Sequence, residues 1–319
     1  MIGTIVKSTG NWYMVRREDA LPDAPVVACR IKGKFKLRQF KLTNPVAVGD
    51  RVVIAVEPGQ ETALITEILP RRNYVARQSP SRKHSLHLLA ANIDQAILIV
   101  TLREPNVKLG FVDRFLLTTE PHDIPTVIVF NKIDIHHEAE NEYLTHMKSI
   151  YSDIGYTLLE TSAATGAGLE EFKAVLHNKT TLVAGHSGVG KSTLVNAIQP
   201  QLTLRTSEIS DYSGKGQHTT TFAELYELSF GGRIIDTPGI KELAFIELTP
   251  REVAHNFKEI FVSSAACKYQ DCQHINEPFC AVKADVQRGH ISETRYQNYL
   301  NIIGEIAELN NWEIHKGGF

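Results

Sequence analysis

Eight consecutive residues carry the first chemical signal: Gly185-His186-Ser187-Gly188-Val189-Gly190-Lys191-Ser192 fits G-x-x-x-x-G-K-[ST]. Glycines in this pattern let backbone N–H groups turn inward around phosphate oxygens. The lysine neutralises β- and γ-phosphate charge, and the serine hydroxyl is a magnesium ligand. The setting agrees, because residues 181–184 read as a strand and 192–198 as a helix, with Thr193 completing the phosphate-side contacts.

The base is specified elsewhere. Asn131-Lys132-Ile133-Asp134 directly follows an expected strand at 126–130. A carboxylate at Asp134 accepts two hydrogens from guanine N1 and N2. Adenine offers neither, and a buried polar group left unpaired discriminates far more strongly than apolar fit. The Lys132 stem would lie along the base plane, Ile133 completes the loop and Asn131 ties it together. Ser162 and Ala163, in Thr161-Ser162-Ala163, follow a strand expected at 156–160 and resemble a second guanine-contacting loop.

Asp236-Thr237-Pro238-Gly239 follows a strand expected at 233–235. Asp236 there would hold magnesium through water, and the Gly239 amide would contact the γ-phosphate. Polar residues 206–221 end in Gly216-Gln217-His218-Thr219-Thr220-Thr221 and read as a first switch, with Thr220 reaching magnesium. Ile240 stands where many signalling GTPases carry a water-orienting glutamine. An isoleucine cannot orient water, so His218 is the candidate to do so, since imidazole works near neutral pH. Lys191, His218 and Thr220 are thus the expected catalytic groups.

These motifs run in an unusual order. Ordinary GTPases begin with the phosphate loop and end with N-K-x-D and the S-A loop, whereas here positions 131 and 161 precede 185. The pattern predicts a circular permutation joined through His177-Asn178-Lys179 and opened between D-x-x-G and N-K-x-D. Surface breaks of this kind are tolerated because chain termini often lie close together. The second switch then leads directly into a C-terminal domain, and release of switch segments on γ-phosphate loss is expected to reach that domain.

Cys267-x4-Cys272-x-His274-x5-Cys280 places three thiols and one imidazole in a short segment. Four such ligands close a zinc tetrahedron with no open position, so the site is expected to be structural. Cys29 stands alone in an apolar stretch and reads as a buried strand thiol. A further chemical signal is the run I-K-G-K-F-K-L-R-Q-F-K at 31–41, with five positive charges and no acid. Lys32, Lys34, Phe35, Lys36, Arg38 and Lys41 suit phosphate contact plus base stacking. Arg71, Arg72, Arg82 and Lys83 are candidates to extend that patch.

The elements that must position these groups follow from periodicity. Five short strands in residues 1–70 predict a small barrel, with the five-stranded oligonucleotide-binding (OB) barrel the leading candidate and an SH3-like barrel the alternative. Residues 71–90, polar and basic, read as a linker. Strands alternating with helices from about 93 predict a doubly wound α/β domain, taken as 71–245. Residues 246–319 turn helical, with amphipathic helices expected at 251–261 and 292–309. The chain of 319 residues has a formal charge of −2 and 43% hydrophobic residues, ordinary for a soluble protein, so any basic surface is local. No apolar run approaches the ~20 residues of a membrane span. The N-terminus lacks a secretion signal, and a cytoplasmic monomer is the expectation.

Together, N-K-I-D, T-S-A, G-x-S-G-V-G-K-S, G-x-H-T-T-T, D-T-P-G and C-x4-C-x-H-x5-C resemble the RsgA (YjeQ/EngC) family of circularly permuted bacterial GTPases. The resemblance covers essentially the whole chain. It implies an OB-fold N-terminal domain, a permuted GTPase and a C-terminal zinc domain. It also implies GTP hydrolysis to GDP stimulated by the 30S subunit, and a role in late 30S maturation with 16S rRNA as the main contact.

Overall fold

The computed structural model describes residues 1–21, 24–31, 44–56, 59–79, 82–202, 223–236 and 248–316. Strands β1 (Ile2–Ser8), β2 (Tyr13–Arg17), β3 (Val27–Ile31), β4 (Arg51–Val56) and β5 (Thr62–Ile68) run in the spatial order β1-β2-β3-β5-β4. The sheet closes because β4 pairs back onto β1. Only the β3–β5 pair is parallel, which gives the OB barrel rather than its SH3-like alternative. Alternate residues point inward, as a period of two requires: Ile5, Val15, Cys29, Val52 and Ile65 are fully buried. Burial pushes the Cys29 thiol up to about 11, so it is an inert core group.

Residues 71–90 are not a linker. Val75 and Ala76 face inward with Leu88, Leu89 and Ala90, forming the hairpin β6 (Tyr74–Ser79) and β7 (Arg82–Ala91). The arginines that obscured this pattern are partly structural. Arg71 forks onto the fully buried Asp50, with both N–H···O distances at 2.7 Å, and also donates to the Pro45 carbonyl. Arg72 pairs with Asp94 at 2.6 Å. Arg71 is thus committed to the fold, whereas the Arg72 side chain stays largely exposed.

The central sheet contains β8 (Gln95–Val100), β9 (Thr126–Asn131), β10 (Thr157–Thr161), β11 (Thr180–Ala184), β12 (Glu224–Glu227) and β13 (Arg233–Asp236). Its order is β10-β9-β8-β11-β13-β12, all parallel except β12. Every residue of β8 and β9 is buried, which explains their continuous apolar sequence, since crossover helices cover both faces of a parallel sheet. Those helices are α1 (Leu109–Thr119), α2 (Glu138–Asp153), α3 (Leu169–Leu176) and α4 (Lys191–Ile198). The edge strand β12 meets β1 at Glu224 opposite Lys7, where the side chains pair at 2.8 Å, so barrel and sheet are continuous.

The C-terminal part holds α5 (Pro250–Asn256), α6 (Lys258–Ser264), α7 (Ala281–Gln287) and α8 (Glu293–Lys316). The single helix expected at 251–261 is broken at Phe257, which adopts φ −91° and ψ 95°. The break turns the Phe257 ring into the core, fully buried and 5.6 Å from the Tyr299 ring. A charged cluster beside it fastens this region to the central domain. Arg295, 2% exposed, forks onto Glu259 at 2.7 and 2.9 Å and donates to Asp113 of α1 at 2.5 Å. Tyr151 and Asn298 also donate to Asp113.

Candidate nucleotide site and metal cluster

The motif residues leave the carboxyl ends of β9, β10, β11 and β13, the edge where open α/β sheets bind ligands. Strand β8 lies between β9 and β11, so their loops emerge about two strand spacings, ~10 Å, apart. One amide closes that gap. Asn131, 1% exposed, donates from Nδ2 to the Val189 carbonyl at 2.8 Å, and its Oδ1 accepts from Thr161 Oγ1 at 3.0 Å. The segments at 131, 161 and 185, far apart in sequence and out of ordinary order, therefore form one structure.

Glycine is required at both ends of the phosphate loop. Gly190 has φ +87°, and a Cβ there would lie 2.6 Å from Asn131 Nδ2; at Gly185, φ +150°, it would lie 2.3 Å from the Ile99 carbonyl oxygen. Between them Ser187 and Gly188 are exposed while Val189 is buried. The His186 ring packs on Phe111 of α1, with centroids 3.9 Å apart. Ser192 and Thr193 lie in the first turn of α4, whose N-terminus carries the partial positive charge that favours anions.

Lys191 Nζ donates to the Gly185 and His186 carbonyls, both at 2.8 Å. Burial lowers its pKa, with the Asp236 charge opposing. Burial likewise raises the Asp236 pKa, with Lys191 opposing. Each charge is thus held out of water and only partly offset by the other. A phosphate carrying magnesium fits both, anion to Lys191 and cation to Asp236.

On the other side, Lys132 takes φ +62° and donates to the Glu104 carbonyl at 2.6 Å. Asp134 is exposed, and one of its oxygens accepts from Ser162 Oγ at 2.5 Å. Ser162 Oγ in turn accepts from the Thr165 amide at 3.1 Å, and Ala163 packs against the core. Ile133 is packed there as well. The loop after β8 was not singled out in the sequence: besides the Glu104 carbonyl it contributes Pro105, adjacent to Gly188. No motif marks a loop that acts through a backbone carbonyl. His218, Thr220 and Gly239, and the basic residues Lys32, Lys34, Phe35, Lys36, Arg38 and Lys41, lie outside the described residues.

Cys267, Cys272, His274 and Cys280 converge, with one ligand atom from each lying within 4.8 Å of all the others. His274 Nδ1 is 3.7 Å from Cys267 Sγ and 3.5 Å from Cys280 Sγ. A zinc tetrahedron with ordinary Zn–S and Zn–N bonds has S···N edges of about 3.6 Å, so the cluster fits zinc. The Tyr296 hydroxyl donates to the His274 carbonyl at 2.6 Å, and the Glu277 carboxylate accepts from the amides of Gln273, Ile275 and Asn276. Burial pushes the Cys272 thiol up to about 12 and raises that of Cys280. Metal and protons compete for these sulfurs, so affinity falls as pH falls. Elemental analysis is expected to find a single zinc per chain, lost in Cys280→Ser and released faster to a chelator at pH 5.5 than at pH 8. Full-length protein that purifies without zinc, yet folds normally, would rule the site out.

A phosphate loop and an N-K-x-D loop stitched together on one parallel sheet, in permuted order, define a circularly permuted P-loop GTPase. A model of the RsgA GTPase family matches residues 68–246, and one of the RsgA N-terminal domain matches residues 2–64. The chain belongs to the RsgA family of GTPases.

Among its relatives is the small ribosomal subunit biogenesis GTPase RsgA of Phocaeicola vulgatus, 46% identical over 97% of this chain and 98% of the relative. The protein of the same name from Flavobacterium psychrophilum is 45% identical over 99% and 96%. Among solved structures, YjeQ from Thermotoga maritima aligns with a TM-score of 0.76 at 36% identity, covering 96% of this chain and 98% of that one. YloQ, described as a circularly permuted GTPase, aligns at 0.71 and 30% identity, covering 96% and 95%. The Cys–His cluster fits zinc, and magnesium accompanies GTP in the chemistry of GTPases.

Proposed function

We propose that this GTPase binds the small ribosomal subunit and assists its late maturation, with its nucleotide held between the Asn131 and Gly185 loops. The observation that carries the reading is the 2.8 Å bond from Asn131 to the Val189 carbonyl, which ties the base-side and phosphate-side loops together and supports a shared pocket. In that pocket Asp134 pairs with guanine N1 and N2, Lys132 lies along the base, and Ser162 and Ala163 close its far edge. Residues Gly185 to Gly190 wrap the phosphates with backbone amides, while Lys191 neutralises their charge. Ser192 and Thr220 hold magnesium directly and Asp236 through water, with Thr193 and Gly239 as further phosphate contacts. Magnesium, when bound with GTP, supplies charge stabilisation to the phosphoryl oxygens.

His218 is assigned the orientation of the attacking water, because Ile240 cannot act as a glutamine does. The names of the relatives support the ribosomal role, and the 16S rRNA is the contact proposed for the barrel and its basic run at 31–41. The working form proposed is a cytoplasmic monomer. Among the described residues no helix is long and apolar enough to cross a membrane.

The test is GTP turnover with purified 30S and 50S subunits. Slow intrinsic turnover is expected to rise with 30S only, by a factor on the order of 10³–10⁵ for a site completed by a partner. His218→Ala should lose that stimulation while keeping its GDP affinity. Equal stimulation by both subunits, or by neither, would overturn the ribosomal reading; full stimulation of the variant would remove His218 from the mechanism.

A further inference from the structure

The RNA-binding reading of the barrel leaves open where a base would sit. We infer that Trp12 and Arg30 form a stacking subsite for an unpaired RNA base on the β2–β3 face of the barrel. This inference rests on the barrel's proposed role in binding RNA.

Three observations converge on it. First, the Arg30 guanidinium lies over the Trp12 ring, 4.0 Å from its centroid. Unpaired bases are bound by stacking on aromatic rings or on arginine planes, and here the two are already layered, with Arg30 the more exposed of the pair. Second, Arg30 is an arginine left over. Arg16, Arg17 and Arg51, the other arginines of strands β1 to β5, each pair with a carboxylate, on Glu227, Asp19 and Glu18. Arg30 is exposed and has no carboxylate partner among the described residues. A surface cation whose role was only to hold the fold would be expected to follow the pattern of its neighbours.

Third, the position is the one OB barrels use. Their oligonucleotide face is built from strands 2 and 3 and the loop joining strands 1 and 2. Trp12 ends the turn between β1 and β2, held there by the Thr9 amide and hydroxyl, which both donate to its carbonyl at 2.9 and 3.2 Å. Arg30 lies on β3. The groove beside them, lined by Gly10, Asn11 and Ile31, has a volume of about 480 Å3, within the range of about 300–1,000 Å3 found for small-ligand sites. The turn fixes the Trp12 backbone before any ligand arrives, which lowers the ordering cost of stacking.

The chain contains two tryptophans, Trp12 and Trp312, so Trp312→Phe leaves Trp12 as the only indole reporter. In that full-length protein, an oligoriboadenylate of about twelve nucleotides is expected to quench Trp12 fluorescence as it binds. Loss of one stacked base should weaken binding by about tenfold or more, both in Arg30→Ala and in Arg30→Lys. The lysine variant keeps the charge and loses the plane, so it separates stacking from simple attraction. Circular dichroism and GDP affinity should be unchanged in both, since neither residue is near the nucleotide loops. If the oligonucleotide binds without quenching, or Arg30→Lys binds like the parent, the subsite is wrong while the barrel can still bind RNA. If the parent protein binds no oligonucleotide at all, the subsite and the RNA-binding reading fall together.

Discussion

Asp134→Asn is expected to weaken GDP and GTP binding by a factor on the order of 10⁴, the scale on which sites lose discrimination when a buried polar pair is broken. The carboxylate can accept from guanine N1–H and N2–H2 together. An asparagine presents an NH2 to one of these donors, so two N–H groups face each other and both lose their partners. The same variant should gain affinity for xanthosine diphosphate, whose 2-oxo group accepts where guanine's amino group donates. Ser162 reinforces the effect, because its hydroxyl already occupies one Asp134 oxygen at 2.5 Å and orients the other. Isothermal titration with GDP and xanthosine diphosphate reads both changes, and phosphate-loop integrity is checked by retained stability. GDP affinity within threefold of the parent would show that this loop does not read the base.

Arg295→Met should destabilise the junction of the C-terminal helices with the central domain by about 3–5 kcal/mol, the usual cost of removing one partner of a buried ion pair. Arg295 and Asp113 are 3% and 0% exposed in their side chains, so the substitution leaves the Asp113 carboxylate buried with only Tyr151 and Asn298 as donors. The methionine recovers none of the fork onto Glu259 and only part of the packing over the Phe257 ring, 4.3 Å from the guanidinium. Since a chain of several domains need not unfold in one step, the measurement is amide hydrogen exchange along α1 and α8, where protection should drop together. The double variant Arg295→Met/Asp113→Leu should regain part of the loss, because it removes the fully buried one of the two carboxylates left without their arginine, Glu259 remaining. Protection in α8 that falls while α1 is untouched would show that the cluster does not join the two.

The same fastening bears on how nucleotide state reaches the C-terminal helices. Sequence order alone pointed to the segment after Asp236 as the route, and residues 237–247 lie outside those described. The structure adds a second attachment, in which Asp113 sits two residues beyond Phe111 on α1, and the Phe111 ring touches His186 of the phosphate loop.

Much of the candidate nucleotide site could be proposed from the sequence because its residues act locally. A glycine-rich turn ahead of a helix, or a carboxylate three residues after an asparagine, has its geometry set by neighbours in the chain, and cutting and rejoining the chain elsewhere leaves it intact. The zinc ligands were legible for the same reason, as they span one short segment. Continuous apolar runs such as β8 and β9 announced a parallel sheet. The hairpin at 74–91 was hidden because the arginines in and just before it made residues 71–90 look like solvated linker, when Arg71, ahead of the hairpin, spends its charge on the buried Asp50.

What the sequence determined by itself, then, was the set of chemical groups and the local turns that display them. What only the tertiary structure decided was adjacency: that Asn131 reaches Val189, that Thr161 reaches Asn131, that Arg295 finds Asp113 across 182 residues, and that Arg30 covers Trp12. Such pairs are made by strand order and helix docking, which depend on burial of apolar surface summed over the whole chain and leave no periodic trace at either partner.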